Sequence, residues 1–209
     1  MPLPDSPSLY GIIDSAYLGT HSPAFCAAEM IAGGVDLLQI RAKGLPPAQI
    51  AAMAQAVLPQ CVAAGVPLII NDFPEIAREV GAQGCHVGQD DLSVEEVRKI
   101  IGPGKIVGKS THSMEQALAA MDEKPDYIGV GPVFPTRTKP DYRAVGLELV
   151  ARVSQASREG RITVPFVCIG GITLENKNRV REAGGHLICV VSGILLAPDL
   201  RTMCRDLRA

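Results

Sequence analysis

Eight short apolar runs, separated by segments with helical spacing, are the feature that most limits how this chain can fold. The runs lie at residues 9–13, 36–40, 67–70, 84–87, 105–110, 127–130, 165–169 and 187–191. They are apolar nearly throughout rather than alternating, which is typical of parallel strands that are buried on both faces. The segments between them predict helices at 22–32, 47–64, 74–80, 93–101, 113–121, 147–159, 174–183 and 198–208. Several have start signals, such as Ser93 followed by Glu95 and Glu96.

Eight strands that alternate with eight helices within 209 residues predict an α/β fold, a (β/α)8 TIM barrel. We expect residues 1–209 to form this barrel as one catalytic domain. A doubly wound open sheet is the alternative, but it usually has fewer strands. It is also disfavoured because no G-x-G-x-x-G motif follows the first run.

Net charge and the lengths of the apolar runs limit which binding partners and which cellular location are expected for the protein. The formal net charge is -2, whereas a general nucleic-acid surface normally has an excess of basic residues. No apolar run reaches the ~18 residues that a membrane span needs, and the N-terminus lacks the basic start and long apolar core of a signal peptide. We therefore expect no nucleic acid, no membrane and a cytoplasmic location. The six cysteines have no C-x-x-C spacing, so they are interpreted as reduced, buried side chains.

Cationic side chains end the second predicted strand, in the segment Gln39-Ile40-Arg41-Ala42-Lys43. In such barrels the active site lies at the carboxyl ends of the strands. Alternation points Gln39, Arg41 and Lys43 to one side, and arginine can bind phosphate with two parallel hydrogen bonds. The pattern predicts an anion site, although a solvated strand end with Lys43 in water is the alternative.

Carboxylates follow the next two strands. Asp72 stands after Asn71 at the end of the third run, and Asp91 follows the fourth. Each one alone is best interpreted as a helix cap or turn residue. Together, at adjacent strand ends beside an anion site, they are the hard oxygen ligands that Mg²⁺ requires when it bridges to a phosphate. His86 lies within an apolar run and is interpreted as a hydrogen-bonded core histidine rather than a metal ligand.

The fifth run ends in hydroxyls and a histidine. Ser110 and Thr111 supply the hydroxyls, and His112 could carry a proton. The alternative is that Thr111 or Ser113 only caps the next helix.

Glycine and serine follow the last two strands, as Gly170-Gly171 and Ser192-Gly193. The loops at these places are the usual phosphate site of TIM barrels, where backbone N–H groups approach the anion. The chain thus has two candidate anion sites, one with carboxylates and one without. We infer two phosphorylated substrates, one of them a Mg²⁺-bound diphosphate.

The sixth strand leads into the longest irregular stretch, within YIGVGPVFPTRTKPD at residues 127–141. Proline fixes φ and so stiffens the exit. Thr136 and Thr138 are two apart, so in an extended segment their hydroxyls face one way, while Lys139 faces the other. This loop can therefore contribute to both anion sites. Arg137 is interpreted as a solvated charge.

Seven segments in this order resemble the thiamine phosphate synthase family from about residue 9 to residue 195: QIRAK (39–43), IIND (69–72), HVGQDDL (86–92), VGKSTH (107–112), DYIGVGPVFPTRTK (126–139), IGGI (169–172) and VVSGI (190–194). The resemblance implies a Mg²⁺-dependent transferase. Such an enzyme joins 4-amino-2-methyl-5-(diphosphooxymethyl)pyrimidine to 4-methyl-5-(2-phosphoethyl)thiazole, or its carboxylated form, giving thiamine phosphate and pyrophosphate. The family mechanism that the resemblance implies has pyrophosphate leave first, after which the thiazole nitrogen attacks a pyrimidine carbocation.

The resemblance also implies a role for each matching residue. The pyrimidine diphosphate would be held by Gln39, Arg41, Lys43, Asn71, Ser110 and Lys139, of which Arg41, Lys43, Ser110 and Lys139 would be catalytic. Mg²⁺ would be held by Asp72 and Asp91. The thiazole phosphate would be held by Thr136, Thr138, Gly170, Val191 and Ser192.

Two alternatives remain at this point. The first is a thiazole tautomerase-like relative of the same barrel, which acts on thiazole phosphate by proton transfer through His112. The second is a barrel that only binds such phosphates. Both are disfavoured because neither needs the carboxylates Asp72 and Asp91. The partners implied are small phosphorylated molecules, and a homo-oligomer is compatible with the sequence.

Overall fold

The computed structural model of the chain describes residues 3–136 and 143–209, which contain eight strands and nine α-helices. The strands are β1 (Leu9–Asp14), β2 (Leu37–Arg41), β3 (Leu68–Asn71), β4 (Gly84–Val87), β5 (Ile106–Thr111), β6 (Tyr127–Val130), β7 (Phe166–Ile169) and β8 (Leu187–Val190). The helices are α1 (Pro23–Ala32), α2 (Pro47–Ala64), α3 (Pro74–Val80), α4 (Val94–Ile101), α5 (Met114–Glu123), α6 (Gly146–Arg158), α7 (Lys177–Glu182), α8 (Ser192–Leu195) and α9 (Leu200–Arg208).

The eight strands form a closed parallel barrel in sequence order. Each strand pairs with the next, and β8 pairs with β1 through the register Tyr10↔Cys189. The predicted (β/α)8 fold is therefore confirmed. Since all strands run in parallel, their carboxyl ends meet at one mouth, which places the candidate site residues of the different strands around a common opening.

Two helices differ from the sequence prediction. Helix α7 begins at Lys177 instead of 174, because the backbone N–H of Thr173 donates to the Asn176 side chain and closes a turn before the helix. Helix α8 was missed because a four-residue segment, SGIL, has too few positions to show helical spacing. It follows β8 directly and thus lies beside the mouth of the barrel.

The core fills the barrel and the layer between strands and helices. Along β2, the outward Leu38 and Ile40 pack under the helices, whereas Gln39 lies inside the barrel. Helix α4 shows how local sequence sets an element: Ser93 and Glu96 form a reciprocal capping box, and Val94, Val97 and Ile101 form its buried face.

All six cysteines are buried and unpaired. Burial raises the pKa of each thiol, to about 12 at Cys61, Cys168 and Cys204. The thiols therefore stay neutral, and the interpretation of the cysteines as reduced, buried side chains is confirmed. Within residues 3–136 and 143–209, no helix is long and apolar enough to cross a bilayer.

Candidate active site

A cavity of about 190 Å³ opens at the carboxyl ends of the strands. Every strand contributes at least one lining residue, so the cavity lies on the barrel axis. Of the residues predicted for the site, Gln39, Arg41, Asn71, Ser110, Thr136, Gly170, Val191 and Ser192 line it. The barrel thus gathers most of the predicted residues from distant parts of the chain into one cavity.

Arg41 at the end of β2 is paired with Asp14 at the end of β1. Asp14 is almost fully buried, and the side chain of Arg41 is only 11% exposed. The guanidinium Nε is also buried and has no hydrogen-bond partner among the described residues. A buried donor without a partner costs free energy, so Arg41 is fixed in orientation and still has a donor to offer an anion.

Asp72 and Asp91 lie together beside Lys43. The Lys43 Nζ is 3.2 Å from Asp72 Oδ2, and Lys43 itself is half exposed. Burial raises the pKa of Asp72, the nearby charge of Asp91 raises it further, and Lys43 partly opposes both. Lys43 is thus paired with a carboxylate while its side chain stays partly in water, and it lies outside the set of residues that line the cavity.

Neither aspartate caps a helix. Helix α3 has no side-chain cap after Asp72, and Asp72 has a left-handed φ of 65°. Asp91 accepts a hydrogen bond from the backbone of Gly88 at 2.6 Å, while Ser93 caps α4. The cap interpretation is therefore wrong for both. A non-glycine residue held at positive φ is often found at functional sites.

The two carboxylates fit a magnesium ion. Mg²⁺ is usually bound through one or two carboxylates, with substrate phosphates and water as its other ligands. In the described part of the chain, no group of three or more His, Cys, Asp or Glu could hold a metal alone. A divalent cation between Asp72 and Asp91 would relieve the repulsion that raises the Asp72 pKa, and a bound phosphate would complete its ligands.

A chain of hydrogen bonds between five side chains crosses the barrel at the cavity. The Gln39 Nε2 donates to the Tyr10 hydroxyl at 2.7 Å, which lies 2.9 Å from the Tyr127 hydroxyl. That hydroxyl is 3.0 Å from His86 Nδ1. The His86 Nε2 is 2.9 Å from Ser110 Oγ. His86 is thus hydrogen-bonded as predicted, and it also lines the cavity.

The β5 end resolves the alternatives for its polar residues. Ser113 caps α5, and the buried Thr111 hydroxyl donates to the Gly129 carbonyl at 2.9 Å. Nδ1 of His112 donates to the Gly131 carbonyl, and the His112 ring lines the cavity. The helix-cap interpretation holds for Ser113 and is wrong for Thr111.

The β7 and β8 ends form the other side of the mouth. The exit of β6 packs onto the β7 loop, with Val133 N 2.8 Å from Ile169 O and Phe134 N 3.0 Å from Gly170 O. Gly170 has a φ of +101°, and a Cβ there would lie 2.4 Å from Pro132 Cβ. Glycine is therefore needed at 170 for close packing of the two loops, in addition to any approach of backbone to an anion. Thr138, Lys139 and Arg137 lie outside the described residues.

Two tyrosines that line the cavity, Tyr10 and Tyr127, were missed by the sequence interpretation. His112, which was considered as a proton carrier, lines the same cavity. Asp14, the partner of Arg41, was also missed. The available signal was a polar tip at an inward position of a buried strand, because a buried hydroxyl or carboxylate needs a partner.

The fold and this cavity define the class of the protein, an enzyme built as a (β/α)8 barrel with its site at the mouth. The profile of one family, thiamine monophosphate synthase, matches residues 9–194. A thiamine-phosphate synthase of Shouchella clausii is 42% identical over 181 residues, which cover 87% of this chain and 85% of that protein. Another from Geobacillus kaustophilus is 45% identical over 175 residues, covering 82% and 77%.

A solved structure extends the similarity to the fold. The thiamine phosphate pyrophosphorylase from Pyrococcus furiosus is 29% identical, has a TM-score of 0.86, and covers 97% of this chain and 94% of its own. The chain belongs to the thiamine monophosphate synthase family. It is therefore a transferase.

Proposed function

We propose that the protein condenses 4-amino-2-methyl-5-(diphosphooxymethyl)pyrimidine with 4-methyl-5-(2-phosphoethyl)thiazole, or its carboxylated form, to give thiamine phosphate and pyrophosphate. One observation carries the proposal beyond family membership: the mouth has two unlike polar sides. Charged groups gather at β2 to β4, whereas glycine, serine and backbone stand at β7 and β8. Because β3 and β7 are four strands apart in a closed eight-stranded barrel, these two sides face each other.

The charged side suits a diphosphate. Arg41 offers a buried donor without a described partner, and Lys43 adds a second positive charge at the rim. Gln39 and Asn71 line the adjacent wall, where their amides can hydrogen-bond the pyrimidine diphosphate. Ser110 would contact the same substrate. Lys139 is proposed as a further contact on the basis of the family resemblance alone.

Asp72 and Asp91 would hold Mg²⁺ in this arrangement. When bound, the ion supplies positive charge that stabilises the leaving diphosphate. Asp72 contributes an ionised oxygen whose charge is otherwise disfavoured by burial and by Asp91. Lys43 stays close enough to Asp72 to keep the whole cluster from carrying excess negative charge.

The chemistry needs no nucleophile from the protein. The bond between the pyrimidine methylene carbon and the diphosphate oxygen breaks, and its electron pair leaves with pyrophosphate. The thiazole nitrogen then donates its lone pair to the methylene carbon and becomes the thiazolium cation. The protein stabilises the charge that develops on the leaving oxygen through Arg41 and Lys43, and it holds the two substrates in line.

The side at β7 and β8 would bind the thiazole phosphate. Gly170, Val191 and Ser192 line the cavity there, together with Thr136 from the β6 exit. Loops after the seventh and eighth strands, followed by a short helix, are the usual phosphate site of such barrels. Thr138, from the same exit loop, is proposed as an additional contact from the family resemblance.

The test is direct. The purified protein is mixed with both substrates and Mg²⁺, and the formation of pyrophosphate and thiamine phosphate is followed. Equal amounts of both products are expected, and chelation of Mg²⁺ should stop the reaction. Isomerisation of a thiazole phosphate through His112 without pyrophosphate release would contradict the proposal. We also propose that the reaction takes place in the cytoplasm, with small phosphorylated molecules as the substrates and with no nucleic acid or membrane involved.

A further inference from the structure

The hydrogen-bonded chain that runs from Gln39 through Tyr10, Tyr127 and His86 to Ser110 is here called the relay. Its members come from five strands, β2, β1, β6, β4 and β5 in that order. All five line the cavity. The proposed reaction uses only its two ends, Gln39 and Ser110, so the three middle residues call for a separate explanation.

The backbone is shaped to admit the middle of the relay. A Cβ at Gly108 would lie 2.4 Å from His86 Nδ1 and 2.4 Å from the Tyr127 hydroxyl oxygen. Such distances are far below contact, so only glycine leaves room for this hydrogen bond. On the next strand, a Cβ at Gly129 would make only an ordinary contact of 3.5 Å with His86 Cε1, so the requirement for glycine lies at Gly108. The site is therefore built around the His86–Tyr127 pair.

Both tyrosines in the relay are neutral phenols. Burial raises the pKa of Tyr10 well above its ordinary value, and its hydrogen bonds with Tyr127 and Gln39 oppose this only in part. Burial and the neighbouring Tyr10 raise the pKa of Tyr127. Each hydroxyl thus has one proton to donate. A row of such groups between two ends must have its protons ordered in one direction along the row.

The Gln39 amide decides that direction. Its Nε2 can only donate, so Tyr10 accepts from Gln39. Among the described contacts of the Tyr10 hydroxyl, the Tyr127 oxygen is then the acceptor left for its proton, and Tyr10 donates to Tyr127. Tyr127 then donates to His86 Nδ1, which must be the unprotonated ring nitrogen. The proton of the neutral ring is left on Nε2 and is donated to Ser110 Oγ. The Ser110 hydroxyl accepts there, so its own proton is directed elsewhere.

We propose that the relay holds His86 in its Nε2–H tautomer, so that the Ser110 hydroxyl is a hydrogen-bond donor toward the cavity. Tyr10, Tyr127 and His86 are positioning residues that act through Ser110. At the other end, Gln39 keeps its carbonyl oxygen for a donor on the ligand. The site thus presents an acceptor at β2 and a donor at β5, which matches an aminopyrimidine with an acceptor nitrogen or diphosphate oxygen. This match rests on the proposed function, whereas the tautomer does not.

The tautomer can be measured without any substrate. Protein labelled with ¹⁵N in its four histidines is studied by long-range proton–nitrogen NMR, and the His86 signals are identified by their loss in His86→Gln. The expected result is a protonated Nε2 and an unprotonated Nδ1. A protonated Nδ1 in the native protein would overturn the proposal.

Two variants test the direction of the relay by opposite expectations. Tyr127→Phe removes the donor to Nδ1, so the fraction of the Nε2–H tautomer should fall. Ser110→Ala removes only the acceptor at Nε2, so the tautomer should not change. The reverse pattern would mean that Ser110 donates to His86, and it would overturn the proposal. The dispersion of the same spectra shows whether each variant is folded.

Kinetics then test whether the donor matters for the proposed reaction. His86→Leu should lower kcat about tenfold with the KM for thiazole phosphate unchanged, because the serine proton is no longer directed to the cavity. His86→Gln should recover most of that loss, since its amide can donate to Ser110 as Nε2 does. Equal losses in both variants would contradict the relay. If the native protein releases no pyrophosphate at all, the proposed function fails while the tautomer measurement still stands.

The two possible acceptors are separated by binding measurements on Ser110→Ala. If Ser110→Ala weakens the binding of inorganic pyrophosphate but not that of the aminopyrimidine alcohol, the serine proton is donated to the diphosphate. If the variant weakens the binding of the aminopyrimidine alcohol but not that of pyrophosphate, the serine proton is donated to the ring nitrogen. Unchanged binding of both would overturn the claim that Ser110 donates to a ligand.

Discussion

The two sides of the barrel mouth differ in charge although the same fold builds them. The side at β1 to β4 gathers Arg41, Lys43, Asp14, Asp72 and Asp91. The residues that line the cavity from β7, β8 and their loops include no charged side chain among the described residues. In the proposed reaction, negative charge develops on the diphosphate and stays constant on the thiazole phosphate. This difference indicates where the reaction takes place. Charged side chains lie on the side where the negative charge of the substrate changes during the reaction, and neutral groups lie on the side where a phosphate of constant charge is bound.

The largest effect is expected at Arg41. Arg41→Lys keeps a positive charge beside the buried Asp14 but loses the planar fork and the donor at Nε, so kcat should fall about 100-fold. The rate of pyrophosphate release at saturating substrates measures this. Arg201→Lys, at an ion pair with Glu29 in the outer helix layer, is the matched control and should keep the native rate. A native rate of pyrophosphate release in Arg41→Lys would contradict the claim that the charged side of the mouth carries the catalytic groups.

Asp72→Asn tests the carboxylate pair. Asparagine also tolerates the left-handed backbone found at residue 72, so the variant should fold. Because it removes one carboxylate, turnover should lose its Mg²⁺ dependence and fall about tenfold or more, while thiazole phosphate binding survives. Calorimetric binding and Mg²⁺ titrations of the rate measure the two effects. Equal loss of thiazole phosphate binding would show that the sites are not separate.

The same variant, Asp72→Asn, should lower turnover but raise the stability of the folded protein. The raised pKa of Asp72 means that the folded state holds this proton more tightly than the unfolded chain. Its contribution to stability is therefore lost as pH rises from the ordinary aspartate range through the raised value, and neutral pH is the unfavourable side. Asp72→Asn should then raise the Tm of the metal-free protein at neutral pH by about 2 °C. A lower Tm would mean that the contact with Lys43 outweighs burial and repulsion.

Gly170→Ala tests how the neutral side is built. Its Cβ would meet Pro132 at 2.4 Å in a left-handed backbone, so stability should fall by about 3 kcal/mol and thiazole phosphate should bind more weakly. Gly65→Ala is the control, because Gly65 also has a positive φ, of +69°, but has nothing within 4 Å of the added atom. It should cost only about 1 kcal/mol. Urea unfolding measures both, and equal costs would mean that the β6 exit does not pack tightly on the β7 loop.

The smallest effect is expected at Ser192, on the neutral side. Ser192→Ala removes one hydroxyl that lines the cavity, so the Kd for thiazole phosphate should rise about threefold to tenfold. The rate of pyrophosphate release at saturating substrates should not change. A fall in that rate comparable with Arg41→Lys would remove the distinction between the two sides.

The sequence predicts the barrel because each of its eight runs is long enough and apolar enough to be buried on both faces. Strands such as β4 and β6 begin and end where the pattern places them. The short helix α8 could not be predicted, because four residues do not complete a period that can be recognised. The turn that delays α7 depends on the hydrogen bond between Thr173 and Asn176, which composition does not show.

Within the site, residues at strand ends were predictable and their partners were not. Arg41, Asp72 and Asp91 follow apolar runs, which marks them as mouth residues. Asp14 was missed because its role is to pair with Arg41 on the neighbouring strand, and this contact cannot be recognised in the sequence. The relay was missed for the same reason: Tyr10 and Tyr127 are 117 positions apart and meet only because the barrel closes.

A single-turnover measurement of pyrophosphate release tests the central claim most directly. The native protein, Arg41→Lys and Ser192→Ala are compared with both substrates and Mg²⁺ at saturation. Our account predicts that Arg41→Lys slows release about 100-fold, while Ser192→Ala releases pyrophosphate at the native rate. Equal slowing in the two variants, or none in Arg41→Lys, would contradict it.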